Sequence, residues 1–120
     1  MIFKKNIIEK ISKQLLLPFS GLEQDWDLEM ANTERINDFI TFYESNNLDF
    51  EEKKSVLALI VASYNDYLYN NDIDDRWKTV ENILKSESRI LKILLDYWCI
   101  NSDQEGFPIS YLLYKIDIRE

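Results

Sequence analysis

Histidine is absent from the 120 residues. Its absence removes serine and cysteine triads of the usual kind, histidine general bases and the common zinc sites in one step. Carboxylate-only mechanisms would remain, but these set their pair in a sizeable sugar-binding cleft, for which a five- or six-helix domain of this length has little room. Glycine is nearly as scarce: Gly21 and Gly106 stand far apart, so no glycine-rich loop brings backbone close to a phosphate. The chain is therefore expected not to be an enzyme and to need no cofactor.

Two glycines and two prolines also leave few residues for the tight turns of hairpin-rich folds, which favours helices. The single cysteine, Cys99, can form no intramolecular disulfide. It lies in an apolar stretch where it would pack as a small hydrophobe, and a reduced, cytoplasmic setting follows. Lys4 and Lys5 precede apolar residues interrupted by Asn6, Glu9, Lys10 and Lys13, which is not a signal-peptide core. The longest apolar run, residues 56–62, is far short of the roughly 20 needed to cross a bilayer. No membrane association is expected.

What is present suits a globular protein. Apolar residues make up 46% of the chain and are spread along it, enough for residues 1–120 to form a single helical domain that buries roughly two-thirds of its unfolded surface. Phe3, Ile7, Ile8, Ile11 and Leu15 recur at three-and-four spacing, which predicts an amphipathic helix over residues 3–16. Pro18 and Gly21 break it. Residues 22–30 alternate apolar with acidic side chains and read as an irregular loop or short helix.

A helix over 33–45 follows, capped by Asn32 or Thr33, with Ile36, Phe39, Ile40 and Tyr43 inward. Asp49 and Glu52 form a capping pattern that opens the longest helix, over 50–69, whose apolar middle marks it as central. Trp77, Val80 and Leu84 define a shorter helix. Ser86 or Ser88 is available to cap the next, through Ile90, Leu94, Tyr97 and Trp98. Residues 101–106 read as a loop, and 109–118 fits either a helix after Pro108 or an alternating strand, with helix preferred because no partner strand is evident. The fold class is thus all-α: one compact bundle of about five or six helices around a central apolar one.

Net charge is −8, unevenly placed. Residues 1–17 carry +3, 18–52 carry −9, and the remaining segments nearly balance. Such a field repels nucleic acid and anionic lipid and speeds encounter with a basic protein. Asn70, Asp72, Asp74 and Glu81 follow part of a calcium-loop spacing, but Asp75 stands where that turn needs glycine. Capping of a helix start is the better reading, and no metal is expected. Trp26 between Asp25 and Asp27, and Tyr64, Tyr67 and Tyr69 near Asp72, Asp74 and Asp75, interleave aromatic anchors with carboxylates as protein interfaces do. The candidate partner-binding set is Glu23, Asp25, Trp26, Asp27, Glu29, Asp72, Asp74 and Asp75.

Leu17-Pro18-Phe19-Ser20-Gly21-Leu22-Glu23-Gln24-Asp25-Trp26-Asp27-Leu28-Glu29-Met30, followed by Arg35-Ile36-Asn37-Asp38-Phe39-Ile40 and later by Ala62-Ser63-Tyr64-Asn65-Asp66-Tyr67, resembles small bacterial immunity proteins of contact-dependent growth inhibition systems. The resemblance covers about half of the chain and assigns no contact residues. It implies a one-to-one complex with the toxic C-terminal domain of a large secreted protein, often a nuclease, whose active site is covered or distorted. The alternative is a helical adaptor or regulatory module with no toxin partner, whose complex would depend weakly on salt.

Overall fold

The computed structural model describes residues 1–99 and 106–119. Among them are seven α-helices and one short 3-10 turn, without a strand: α1 (Lys5–Leu15), α2 (Trp26–Met30), the 3-10 turn Thr33–Arg35, α3 (Ile36–Ser45), α4 (Phe50–Leu68), α5 (Asp75–Ser86), α6 (Ser88–Trp98) and α7 (Pro108–Arg119). The all-α class holds. The helix number exceeds the expected five or six because residues 26–30 close a helical turn of their own. The chain divides into two compact units, Met1–Asp66 and Tyr67–Glu120.

In the first unit, α1 buries Ile8, Ile11, Ser12 and Leu15, the face that its spacing predicts. It ends where Leu16 turns into the left-handed region (φ 56°, ψ 47°), with the Leu17 amide donating to Ser12 O at 2.8 Å. This is the six-to-one bond of a Schellman ending, at a position usually given to glycine. Arg35 places its guanidinium there too, Nη1 donating to Leu15 O at 2.7 Å, a cation at the negative end of a helix.

Asn32 accepts from the Glu34 amide at 2.9 Å. Its cap starts the 3-10 turn that leads into α3, which buries Ile36, Phe39 and Ile40 and leaves Tyr43 half-buried.

At the head of α4, the Glu52 amide donates to Asp49 Oδ1 at 2.9 Å and the Asp49 amide donates to Glu52 Oε1 at 3.0 Å. These reciprocal bonds are a capping box, in which loss of the cap residue costs about 1 kcal/mol. Glu52 also accepts from Lys10 Nζ at 2.8 Å, joining α4 to α1. The Asp49 amide and Lys10 hold its carboxyl below the usual range. From Ser55 to Asn65 every side chain of α4 is buried. Each Val, Leu or Ile removed from water there contributes roughly 1.5–3 kcal/mol.

In the second unit, α5 begins at Asp75 behind Asp74, whose Oδ1 accepts from the Arg76 amide at 3.1 Å. It buries Trp77, Val80 and Leu84, as their spacing requires. The expected serine cap of α6 is corrected. Only Glu87 separates α5 from α6, so Ser86 and Ser88 both lie within helices; Ser86 Oγ instead donates to Ile83 O at 2.7 Å, and Glu87 makes no side-chain cap bond.

Helix α6 buries Ile90, Leu91, Leu94 and Trp98, and Tyr97 meets Trp98 edge-on at 5.4 Å. Helix α7 starts on Pro108, where a missing N–H is no loss, and buries Ile109, Leu113 and Ile116. Ser110 Oγ donates to Trp98 O at 2.6 Å, and the half-buried Cys99 donates through Sγ to Ser110 O at 3.4 Å. The loop expected at 101–105 lies outside the described residues. No helix among the described residues is long and apolar enough to cross a membrane.

Candidate protein-interaction surface

The acidic segment of the first unit is an ordered turn followed by a single helical turn. Gly21 takes φ +93°, which a side chain would strain. Glu23 reaches back to accept from the Ser20 amide (3.0 Å), Ser20 Oγ (3.1 Å) and the Gly21 amide (3.0 Å), while the Leu22 amide donates to Ser20 Oγ at 3.2 Å. The Ser20 amide is the main cause holding the Glu23 carboxyl below its ordinary range. Glu29 bends back in the same way, Oε2 accepting from the Asp25 amide at 2.9 Å.

Helix α2 decides which side chains face out. Positions 26, 27 and 30 share one face at helical spacing, and Trp26, Asp27 and Met30 are buried. Asp25, Leu28 and Glu29 fall on the other and are exposed.

Two of the expected contact residues are thereby buried. Trp26 is 1% exposed, donates through Nε1 to Ser12 Oγ at 2.9 Å and meets Phe3 edge-on at 5.5 Å. It is a core residue that fixes the segment to α1, not an exposed anchor. Asp27 is equally covered, and its Oδ2 has no hydrogen-bond partner among the described residues. Loss of solvent pushes its carboxyl up to about 6, against the opposing pull of the Leu28 and Asp27 amides. Glu23, Asp25 and Glu29 remain at the surface, and none takes part in an ion pair among the described residues.

The second acidic group belongs to the other unit. Asp74 is committed locally: besides capping α5, its Oδ2 accepts from Arg76 Nε at 3.0 Å and pairs with Nη2 at 2.9 Å, while that guanidinium lies 4.8 Å from the Tyr67 ring centre. Asp72 and Asp75 are exposed. Of the tyrosines, Tyr64 is buried, Tyr67 half-buried and Tyr69 exposed. With Asp74 in the cap and α5 starting at Asp75, the partial calcium spacing folds as a helix start. No cluster of three metal-ligating side chains occurs among the described residues.

Exposed apolar side chains are the feature that charge reading missed. Leu16 and Leu22 are 85% and 87% exposed, flanking the acidic turn, and Leu28 lies on the outer face of α2. Leu16 and Leu17, with Phe19, Ser20 and Gly21, wall one side of a groove of about 530 Å³ against Lys5, Glu9, Ser12 and Lys13 of α1. In the second unit, Phe107, Tyr111 and Tyr114 are exposed and recur at four-and-three spacing. That signal was legible, but the flanking isoleucines and leucines dominated the reading of the tail. These surfaces offer carboxylates and apolar contacts. Comparison with known proteins gives no match among family models, curated proteins or solved structures.

Proposed function

We propose that this chain is a non-catalytic binding protein whose acidic surface docks a basic protein, and that this partner is the toxic, phosphate-gripping domain of a bacterial growth-inhibition system, which the chain neutralises. The observation that carries the reading is the 20–29 turn. Asp25 and Glu29 are exposed and Glu23 is half-buried, all three without ion-pair partners among the described residues, and hydrogen bonds from Ser20, Gly21 and Asp25 hold the Glu23 and Glu29 carboxylates in place. Charges fixed in this way before encounter cost little to order on binding and steer a cation-rich partner. Nuclease domains that grip phosphates with lysine and arginine are partners of this kind.

The test purifies the chain with the C-terminal domain of the polypeptide encoded beside it and follows association by stopped flow. The combined variant E23Q/D25N/E29Q is expected to associate about tenfold more slowly at low salt, with dissociation nearly unchanged. The wild-type rate should fall toward that of the variant as ionic strength rises. Absence of a complex, or association independent of both salt and the variant, refutes the reading.

A further inference from the structure

Helix α6 carries two opposite charges that do not close on each other. Lys92 and Asp96 stand one turn apart and exposed, yet neither takes part in an ion pair among the described residues. The pairs of this spacing that do close, Glu9 with Lys13 in α1 and Glu81 with Lys85 in α5, have the acid first. A lysine four residues before an acid is the weaker order on a helix.

The two charges border a groove of about 510 Å³ between α6 and α7. Leu91, Leu95 and Cys99, at four-residue spacing, line it from the same face of α6, and Tyr114 forms its α7 side. Leu91 is covered, but Leu95 and Cys99 are half-buried and Tyr114 is 53% exposed. Tyr111 and, just before α7, Phe107 add exposed aromatic surface. Three half-exposed rings leave about 300 Å² open, the size of the largest apolar patch on an ordinary monomer.

Charge at the groove is balanced, and the balance selects the occupant. A basic surface would meet Lys92, and an acidic one would meet Asp96. A matching surface presents an acid opposite Lys92 and a cation opposite Asp96, beside apolar side chains. A second copy of this chain supplies that arrangement when its α6 runs antiparallel: a two-fold axis midway between positions 92 and 96 sets each lysine against the other copy's aspartate. We propose that the α6–α7 groove is a homodimer interface, with Lys92 and Asp96 pairing reciprocally around Leu95 and Tyr114. This does not rest on the acidic-surface reading. The open apolar area is small against the roughly 800 Å² per copy of a standard interface, and the net charge of −8 opposes association, so the dimer is a weak one.

Sedimentation equilibrium of the full chain from about 10 μM to about 1 mM covers the range of a weak dimer. Reducing buffer prevents a Cys99 disulfide from mimicking the contact. The weight-average mass should rise from 14.4 kDa toward twice that value. K92E and D96K each turn both cross-contacts repulsive and should weaken dimerisation about tenfold. Mixed in equal amounts, the two variants restore both contacts, as does the double variant K92E/D96K, and dimerisation should return to the wild-type level. Y114S should weaken it with helicity unchanged, and E23Q/D25N/E29Q should not weaken it. A chain that stays monomeric over the whole range overturns the proposal. So does a dimer indifferent to K92E and D96K, or a mixture that dimerises no better than either variant alone. A dimer lost in E23Q/D25N/E29Q overturns it as well, since the contact would then lie on the acidic segment.

Discussion

Substituting Asp27 by asparagine tests the burial of α2 most directly. The Asp27 carboxyl is 1% exposed, and desolvation raises it from 3.8 to about 6. A group with a higher pKa in the folded state binds its proton more tightly there. Folding is therefore unopposed while the carboxyl is protonated in both states, and the penalty grows as pH rises from about 4 to about 6, becoming complete above that. With 1.36 kcal/mol per pKa unit, the ionised form costs roughly 3 kcal/mol near neutrality, an upper figure for a group so placed. The D27N variant carries no such titration, though its buried amide costs about 1 kcal/mol wherever it lacks an acceptor.

The stability difference, variant minus wild type, should therefore shift in favour of D27N by about 2–3 kcal/mol between about pH 4 and about pH 7.5. Urea unfolding followed by far-ultraviolet circular dichroism at those two pH values measures it. Taking the difference removes the contribution of Glu52 and Glu23, whose carboxyls are lowered and lose their stabilising effect as pH falls. A difference that stays constant within about 0.5 kcal/mol would refute the inward orientation of Asp27.

Trp26→Ala should unfold the first unit or destabilise it by about 3–5 kcal/mol, because a buried indole hydrogen-bonded to Ser12 is removed. Weakened partner binding with unaltered thermal stability would contradict its placement. Asp49→Ala removes the acceptor for the Glu52 amide and should lower stability by about 1 kcal/mol in denaturant titration, with no change in partner binding.

The features legible in the sequence were those whose partners lie within one helical turn. Asp49 and Glu52 bond each other across three positions, and Asp74 caps a helix whose first residues supply its donors, so both helix starts could be read locally. The inward faces of α1, α5 and α6 followed from three-and-four spacing for the same reason. Trp26 and Asp27 could not be read this way. Acidic neighbours on both sides made the stretch look like a solvated alternation, whereas contacts with Ser12 and Phe3, fourteen and more residues earlier, draw one face of a five-residue helix inward. Leu16 was hidden differently: a leucine after an amphipathic helix gives no sign that its backbone will turn left-handed and leave it outside.

Glu52 ties two length scales of the chain to one carboxylate. Oε1 accepts from Asp49 only three residues away, whereas Oε2 accepts from Lys10 across 42 positions. The first contact can form as soon as α4 nucleates; the second requires closure of a long loop, which is entropically unfavourable until other contacts support it. The two bonds therefore act as separate clocks at one helix end. Truncating Asp49 perturbs only the early, local step, and truncating Lys10 only the later closure. Their relative effects on folding and unfolding rates would reveal whether the longest helix exists in the transition state before α1 docks against its first turn.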